Sequence, residues 1–140
     1  MIECKVVLDE GAYMPERAHE TDAGWDLRTP TVATIAPGAA AVIDTGVHVL
    51  IPKGYVGFLK AKSGLNIKCS ILGTGVVDAG YTGSIVVKLY NESSTDYKWF
   101  DIGDKIIQLV ILPIPEVTMT CVDSLEETER GANGFGSTGR

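Results

Sequence analysis

An aspartate in a glycine-rich stretch of the sequence has the setting of a water-activating carboxylate. Asp78 lies within residues 75–83, where glycines predict a hairpin tip or tight turn between strands. A carboxylate fixed on such a turn can orient and deprotonate a water molecule, and Tyr81, three residues later, can supply a flat, amphipathic wall. The alternative interpretation is that Asp78 is an ordinary turn aspartate.

A lysine, a serine and a glycine follow one another where a predicted strand gives way to a predicted short helix. Lys62, Ser63 and Gly64 would place an ammonium, a hydroxyl and backbone amides at the start of that helix, which is a favourable place for a phosphate group. Ser63 is also positioned to cap the helix, so an ordinary N-cap beside a surface lysine is the alternative.

Two further polar residues occur in strand-like surroundings. Asp26 is predicted to point outward from a strand, where it could hold Mg²⁺ through water or be a solvated aspartate. Gln108 lies in an otherwise apolar stretch after a predicted turn at residues 103–105. Because a buried amide needs hydrogen-bond partners, Gln108 is either a member of a structural network or a ligand contact.

The last eleven residues form the most unusual segment of the sequence. Glycines at 131, 134, 136 and 139 allow positive φ angles and close approach to an anion. Arg130, Ser137 and Thr138 offer donors to phosphate, and Phe135 can stack on a flat ring. A disordered Gly/Ser-rich tail is the alternative.

Short β-strands are predicted to position these residues. Val, Ile and Thr number 14, 12 and 12 of the 140 residues, which favours strands over helices. Apolar residues recur mostly at alternate positions, in short runs punctuated by Gly and Pro, and this pattern predicts an all-β, jelly-roll-like barrel or sandwich with one short helix at 63–70. About eight strands are predicted: the one that carries Asp26, and those at residues 2–8, 40–44, 47–51, 55–60, 84–91, 105–112 and 117–122.

Composition limits the organisation and the partners of the chain. There is room for one β-core domain, at 1–122, and the acidic, then glycine-rich residues 123–140 predict a flexible C-terminal arm. The net charge of −6 argues against binding nucleic acid by charge alone, and no apolar run approaches the roughly 18 residues of a membrane helix. The three cysteines suggest neither a disulfide framework nor a metal motif, so a reducing, cytoplasmic location is expected.

Five segments, in this order and spacing, resemble the five motifs of the trimeric dUTP pyrophosphatases (dUTPases) of bacterial or phage-like type. Each segment alone is a weak signal, but five in register extend over nearly the whole chain. The resemblance implies a homotrimer with active sites shared between subunits, which hydrolyses dUTP to dUMP and pyrophosphate with Mg²⁺. The segments are residues 23–27, 62–65, 75–83, 103–109 and 130–139.

The resemblance also implies a role for each matching residue. Asp78 corresponds to the catalytic aspartate that activates the water attacking the α-phosphorus, and Tyr81 to the tyrosine that packs on the deoxyribose. Asp26 corresponds to the aspartate that contacts the water shell of the magnesium ion. The other matches bind substrate: Gly75, Val76 and Val77 read uracil through backbone groups, Lys62, Ser63, Gly64 and Gln108 bind phosphate, and Arg130, Phe135, Gly136, Ser137 and Thr138 belong to the arm that closes over the nucleotide, with the phenylalanine on uracil.

The sequence departs from the family pattern at several positions. Lys62 occurs where arginine is usual, and because a lysine makes a point-charge contact rather than a bidentate one, a weaker or differently oriented phosphate clamp is expected. Trp25 replaces a more frequent tyrosine or phenylalanine, Ser84 replaces a common glutamate, and Asn133 replaces a glycine of the arm.

Two alternative functions fit the same architecture. A dCTP deaminase would carry a glutamate for water activation, and no glutamate lies near Asp78 in the sequence. A dUTP-sensing module that binds a regulatory protein partner would keep the fold and need not exclude catalysis. Its affinity for the partner would differ with and without dUTP.

Overall fold

The computed structural model describes residues 1–139, and almost all of its regular structure is β. Seven strands form one curled, antiparallel sheet in the order β1-β4-β7-β6-β5-β9-β2, while β3 and β8 pair separately. The elements are β1 (Lys5–Leu8), β2 (Gly24–Arg28), β3 (Ala33–Ile35), β4 (Ala40–Leu50), β5 (Tyr55–Lys60), α1 (Ser63–Cys69), β6 (Ile71–Val77), β7 (Ser84–Asn91), β8 (Lys98–Phe100) and β9 (Lys105–Pro113).

Alternation of apolar side chains builds the core. In β7, Ile85, Val87 and Leu89 are buried while the residues between them are exposed, so the prediction that these three share one face is confirmed. Burial of such side chains is the main stabilising contribution to the fold. The buried cluster comprises Leu27, Ile35, Ile43, Val47, Val49, Ile51, Leu59, Ile71, Val77, Ile85, Val87, Leu89, Phe100, Ile106, Ile107 and Leu109.

Several strand predictions need correction. The two strands predicted at 40–44 and 47–51 are one continuous strand, β4, because its pairing with β7 continues past a register shift between Asp44 and His48. The strand predicted at 117–122 is wrong, since no strand follows Pro113 among the described residues. Alternating Val117 and Met119 are exposed there and pair with no strand of this chain, and a strand needs a hydrogen-bonded neighbour.

Three strands escaped prediction: β3, β6 and β8. Two of them have only three residues each, which is too short for an alternating pattern to be recognised. In the described part of the chain, no helix is long and apolar enough to cross a membrane.

Candidate active site

A buried aspartate lies between two lysines at one end of β5. Asp26 on β2 is 5% exposed, and its Oδ1 accepts a hydrogen bond from the Nζ of Lys62. Its Oδ2 lies 2.8 Å from the Nζ of Lys105. The prediction that Asp26 points outward from the strand is therefore wrong, and so is the alternative of a solvated aspartate, because two lysines remote in sequence cover its carboxylate. We call Asp26, Lys62 and Lys105 the lysine–aspartate cluster.

The lysines keep this carboxylate ionised. Burial by itself would raise the pKa of Asp26, but hydrogen bonds from Lys105 and Lys62, together with their charges, hold the pKa below its ordinary value. The two lysines are partly buried, with 27% and 34% of their side chains exposed. The cluster thus has two positive charges and one negative charge, and this excess suits it to a polyanion.

Gln108 lies beside the cluster and is held in place by close packing. In the β2–β9 register it is opposite Asp26, and its Nε2 donates to the carbonyl of Ala61, 3.2 Å away. A Cβ on Gly24 would approach the Cδ of Gln108 to 2.9 Å. Glycine at position 24 therefore leaves room for the amide to lie against β2.

The serine and glycine after Lys62 begin helix α1. The N-cap is Lys62, with no side-chain cap hydrogen bond, so the prediction that Ser63 caps this helix is wrong. Ser63 is the first helical residue, and both it and Gly64 are exposed. Their hydroxyl and backbone amides face solvent next to the lysine–aspartate cluster, where they are accessible to a ligand.

A second polar region lies at the other end of β5. Gly75, Val76 and Val77 belong to β6 rather than to a hairpin tip, and the turn begins only at Asp78. We call residues 78–83 the Asp78 turn. It is anchored by a hydrogen bond from the Gly80 amide to the carbonyl of Ile51 at 3.2 Å, and the Asp78 side chain is exposed.

One edge of the strand before this turn is available for binding. Residues 74–77 of β6 pair with β5, whereas β6 and β7 pair only at residues 71–73. Within residues 1–139, the backbone groups of Gly75, Val76 and Val77 that face away from β5 thus have no partner strand in this β-ladder. Backbone amides and carbonyls in a fixed strand present donors and acceptors at regular spacing, as reading a planar heterocycle requires.

Tyr81 is folded back across the Asp78 turn. Its hydroxyl donates to the carbonyl of Ser84 at 2.9 Å, and 47% of the residue is exposed. A Cβ on Gly83 would come within 2.9 Å of the ring Cε2, so glycine at this position lets the ring lie flat. Tyr81 thereby presents a rigid face beside Asp78.

The two polar regions lie far apart within one chain. Val77 is opposite Gly57 on β5, and Lys62 comes five residues after Gly57 along the chain. At about 3.3 Å per residue, roughly 17 Å separates the two levels. Gln108 is opposite Lys60, three residues or about 10 Å from the level of Val77. A single copy of the chain therefore does not bring Asp78 next to Lys62 or Gln108.

Among the described residues, the hydrogen bonds of the arm stay within residues 128–139. Phe135 is fully exposed with a φ of 51°, and the Nε of Arg130 donates to the carbonyl of Asn133 at 3.1 Å. Gly136, Ser137 and Thr138 are exposed and follow one another in tight turns. Arg140, the second arginine of the predicted arm, lies outside the described residues.

The described residues do not form a metal cage. Across residues 1–139, no group of three or more His, Cys, Asp or Glu side chains is placed to hold a metal ion. Both oxygens of Asp26, the predicted magnesium contact, are already directed at lysines. Among the described residues, the donor set therefore does not form a metal cage by itself.

Sequence reasoning missed two residues of these regions. Lys105 was seen only as part of a turn, because a residue three positions before Gln108 points to the opposite face of a regular strand. The register shift between Leu27 and Arg28 brings Lys105 to the face of Asp26. His48 is a polar residue in an apolar strand, and its Nδ1 lies 2.8 Å from the Thr82 carbonyl of the Asp78 turn. In the sequence, only its place in an apolar strand marked His48 as unusual. Its contact with the Asp78 turn follows from the pairing of β4 with β7, which the sequence does not show.

Comparisons with known proteins point to one family. A family profile described as dUTPase matches residues 10–139. The deoxyuridine 5'-triphosphate nucleotidohydrolase of Tropheryma whipplei (strain Twist) is 41% identical over 137 residues, which is 96% of this chain and 94% of that protein. The enzyme of the same name from Cutibacterium acnes is 43% identical over 129 residues, 90% of this chain and 85% of its own length.

Solved structures of phage proteins share the fold. The dUTPase of Staphylococcus bacteriophage 80alpha with dUPNHPP superposes with a TM-score of 0.91 and 33% identity over 100% of both chains. A mutant dUTPase from phage phi11 of S. aureus, described with a structural Mg(II) ion, gives a TM-score of 0.81 and 33% identity over 90% of this chain and 100% of that one.

The fold and the match together define a nucleotide-hydrolysing enzyme with a jelly-roll fold, as predicted. The chain belongs to the dUTPase family. This confirms the resemblance that the five segments carry, and the agreement extends over almost the entire length of the chain.

Proposed function

We propose that the chain hydrolyses dUTP to dUMP and pyrophosphate, with Asp78 as the general base. The observation that carries the proposal is the free backbone edge of Gly75, Val76 and Val77, directly followed by Asp78 and Tyr81. A base-reading edge, a carboxylate and an aromatic wall are thus consecutive on one fixed segment. The family match supports the same substrate.

In this mechanism the Asp78 turn selects the nucleoside and activates water. Uracil forms hydrogen bonds with the backbone of Gly75, Val76 and Val77, which cytosine's amino group would oppose. The Tyr81 ring packs on the deoxyribose and excludes a 2′-hydroxyl. Asp78 accepts a proton from a water whose oxygen attacks the α-phosphorus, and the bond from that phosphorus to the bridging oxygen breaks, releasing pyrophosphate.

The phosphates require a second copy of the chain. The β- and γ-phosphates lie within a few ångströms of the α-phosphorus, so they cannot reach from Asp78 across the roughly 17 Å to Lys62 of the same copy. We therefore propose a homotrimer in which Lys62, Ser63, Gly64 and Gln108 of a neighbour hold the phosphates. A mass in solution near three times 14.9 kDa would support this assembly, and a monomer would contradict it.

The C-terminal arm, residues 123–140, is proposed to complete the site. Phe135 would stack on uracil, while Arg130, Ser137 and Thr138 donate to the phosphates and Gly136 allows the close approach. The remaining residues, 1–122, form the β-core domain of this proposal. Closure over the nucleotide would exclude bulk water from the reacting centre.

Magnesium belongs to the substrate in this proposal, as Mg²⁺·dUTP. The lysine–aspartate cluster does not form a metal cage, and Asp26 would meet the ion only through the ion's own water molecules. The chain's own contribution is to hold the phosphates with Lys62 and Lys105 and to keep Asp26 ionised between them.

The proposal also places the enzyme in the cytoplasm. Cys4, Cys69 and Cys121 are all free thiols, which suits a reducing compartment.

Pyrophosphate release from dUTP, dCTP, dTTP and UTP, measured in parallel with Mg²⁺ and then with chelator, tests the reaction. Rapid release from dUTP alone, lost with chelator, is the expected result. Equal release from UTP would contradict the role of Tyr81. No release from any nucleotide by a folded sample would contradict the enzymatic proposal itself.

A second candidate function is a dUTP-dependent regulatory interaction with another protein. The phage 80alpha structures are described with phage dUTPases that control transfer of virulence genes by a proto-oncogenic G protein-like mechanism. For this chain, binding of a partner in the presence of dUPNHPP but not in its absence would support such a role.

A further inference from the structure

A histidine ties the Asp78 turn to the end of β1. His48 on β4 is opposite Ser84 in the β4–β7 register. Its Nδ1 lies 2.8 Å from the Thr82 carbonyl, and its Nε2 lies 3.1 Å from Oδ1 of Asp9. Thr82 adjoins Tyr81, so the imidazole acts directly on the segment that carries the proposed sugar-reading ring.

Hydrogen-bond chemistry determines the charge of this ring. The Thr82 carbonyl and the Asp9 carboxylate can only accept, so both ring nitrogens of His48 must donate. Only the imidazolium has two donors, and either neutral tautomer would direct a lone pair at an oxygen. The hydrogen bond to Thr82 and then that to Asp9, with the charges of Asp9 and Asp44, raise the pKa of His48 above its ordinary value despite slight desolvation.

The neighbouring groups form a fixed frame around His48. Oδ1 of Asp44 accepts hydrogen bonds from Oγ of Ser84 and from the Gly46 amide. These bonds and the positive charge of His48 lower the pKa of Asp44, so this carboxylate stays ionised near neutral pH. The charged groups that face the imidazole are thus Asp9 and Asp44.

We propose that His48 is a pH-dependent positioning residue for the Asp78 turn: its imidazolium holds the Thr82 carbonyl, and its deprotonation loosens Tyr81 and Asp78. The proposal rests on the function proposed above. Because the folded-state pKa is raised, the hold is complete at low pH and is lost as pH rises through that pKa. Turnover of dUTP should therefore decline on the alkaline side of the His48 transition, mainly in kcat.

The test compares variants across pH 5.5 to 9. His48→Gln should remove the decline and reduce kcat at pH 6 by about threefold to fivefold, the range for a partly exposed charged hydrogen bond. Asp9→Asn should keep the decline but move its midpoint to lower pH. His19→Gln, at the exposed second histidine of the chain, is the matched control and should reproduce the wild-type profile. Ionisation of dUTP itself is common to all variants, so it cancels when the kcat of each variant is divided by that of the wild type at the same pH.

A measurement independent of turnover separates this proposal from the proposed function. With only two histidines in the sequence, the His48 imidazole can be followed by NMR, and the amides of Tyr81 and Gly83 should shift with the same midpoint. The proposal would be overturned if the chemical shifts of these amides did not change with the His48 titration. It would also be overturned if kcat of His48→Gln declined at alkaline pH as in the wild type. Absence of turnover in the wild type, with coupled NMR titrations, would contradict the enzymatic function but retain the positioning role.

Discussion

The two ends of β5 hold their polar side chains by different physical means. At one end, the lysine–aspartate cluster is a buried ionic contact in which each charge depends on the others. At the other end, Asp78 is exposed, and what is fixed is the backbone of the Asp78 turn, through the bonds of Gly80, Tyr81 and Thr82.

This difference separates stability from reactivity. Removing a member of a buried ionic group leaves an unpaired charge that is costly to the fold. Removing an exposed carboxylate from a well-anchored turn costs the fold little, because no buried charge is left without a partner. Substitutions in the lysine–aspartate cluster are thus expected to lower the stability of the fold, and substitutions in the Asp78 turn to lower the rate of the proposed reaction.

The largest effect is expected at the exposed end. Asp78→Asn should lower kcat for dUTP by about 10²–10⁴-fold because the general base is lost. Binding of dUPNHPP and the melting temperature should stay near the wild-type values. Pyrophosphate release and calorimetric titration measure the two properties, and full turnover in this variant would remove Asp78 from the mechanism.

Deletion of residues 131–140 tests whether the lysine–aspartate cluster and the Asp78 turn are sufficient for turnover of dUTP without the arm. Turnover should fall by about 10²-fold, since closure and positioning of the nucleotide are lost. The melting temperature should hardly change, because nearly all of this segment is exposed. Unchanged turnover would show that the two ends of β5 form a complete site.

Asp26→Asn probes the buried end. It should reduce the free energy of unfolding by about 2 kcal/mol, less than for fully buried ion pairs because both lysines are partly exposed. Glu116→Gln is the matched control: its ion pair with Lys53 spans 3.0 Å between side chains that are 86% and 90% exposed, so a change below about 0.5 kcal/mol is expected.

The stability difference between the wild type and Asp26→Asn should depend on pH, which tests whether the effect is ionic. The pKa of Asp26 is lowered from 3.8 in the folded state, so its stabilising contribution is complete above the unfolded-state pKa and is lost as pH falls through the folded-state pKa. Denaturant unfolding should show the gap between wild type and Asp26→Asn narrowing below about pH 4. A gap that is constant with pH would indicate a packing effect rather than an ionic one.

The smallest effect is expected from Gly83→Ala. The new methyl group would displace the Tyr81 ring, and the preference for dUTP over UTP should fall by about fivefold, which corresponds to one off-rotamer side chain. Ratios of kcat/KM for the two nucleotides measure this. An unchanged ratio would mean that the ring position does not determine sugar selection.

Local patterns in the sequence predicted the fold class well. Alternation identified the buried face of β7, because a period of two depends only on neighbouring residues. Alternation at 117–122 led to a wrong strand prediction, because a strand also requires a pairing partner, which a local pattern does not reveal. The glycine at position 46 predicted a break between two strands, whereas β4 continues past this glycine and pairs with β7 on both sides of a register shift.

The sequence proposed site residues by type, but it did not predict their environment. Asp26 was predicted to point outward from its strand, whereas it is buried. Its partners Lys62 and Lys105 are distant in sequence, and only the tertiary fold brings them together. Similarly, the roughly 17 Å between Asp78 and Lys62 follows from strand register, which the sequence does not state.

The separation of the two ends along β5 has a genetic consequence. If each site combines Asp78 of one copy with Lys62 of another, two chains inactivated at opposite ends can complement each other when they are co-expressed. Mixed assemblies of an Asp78→Asn chain and a Lys62→Ala chain would contain some sites built from one intact half of each. Two defective alleles could then support a cell that neither supports alone, whereas two alleles defective at the same end could not.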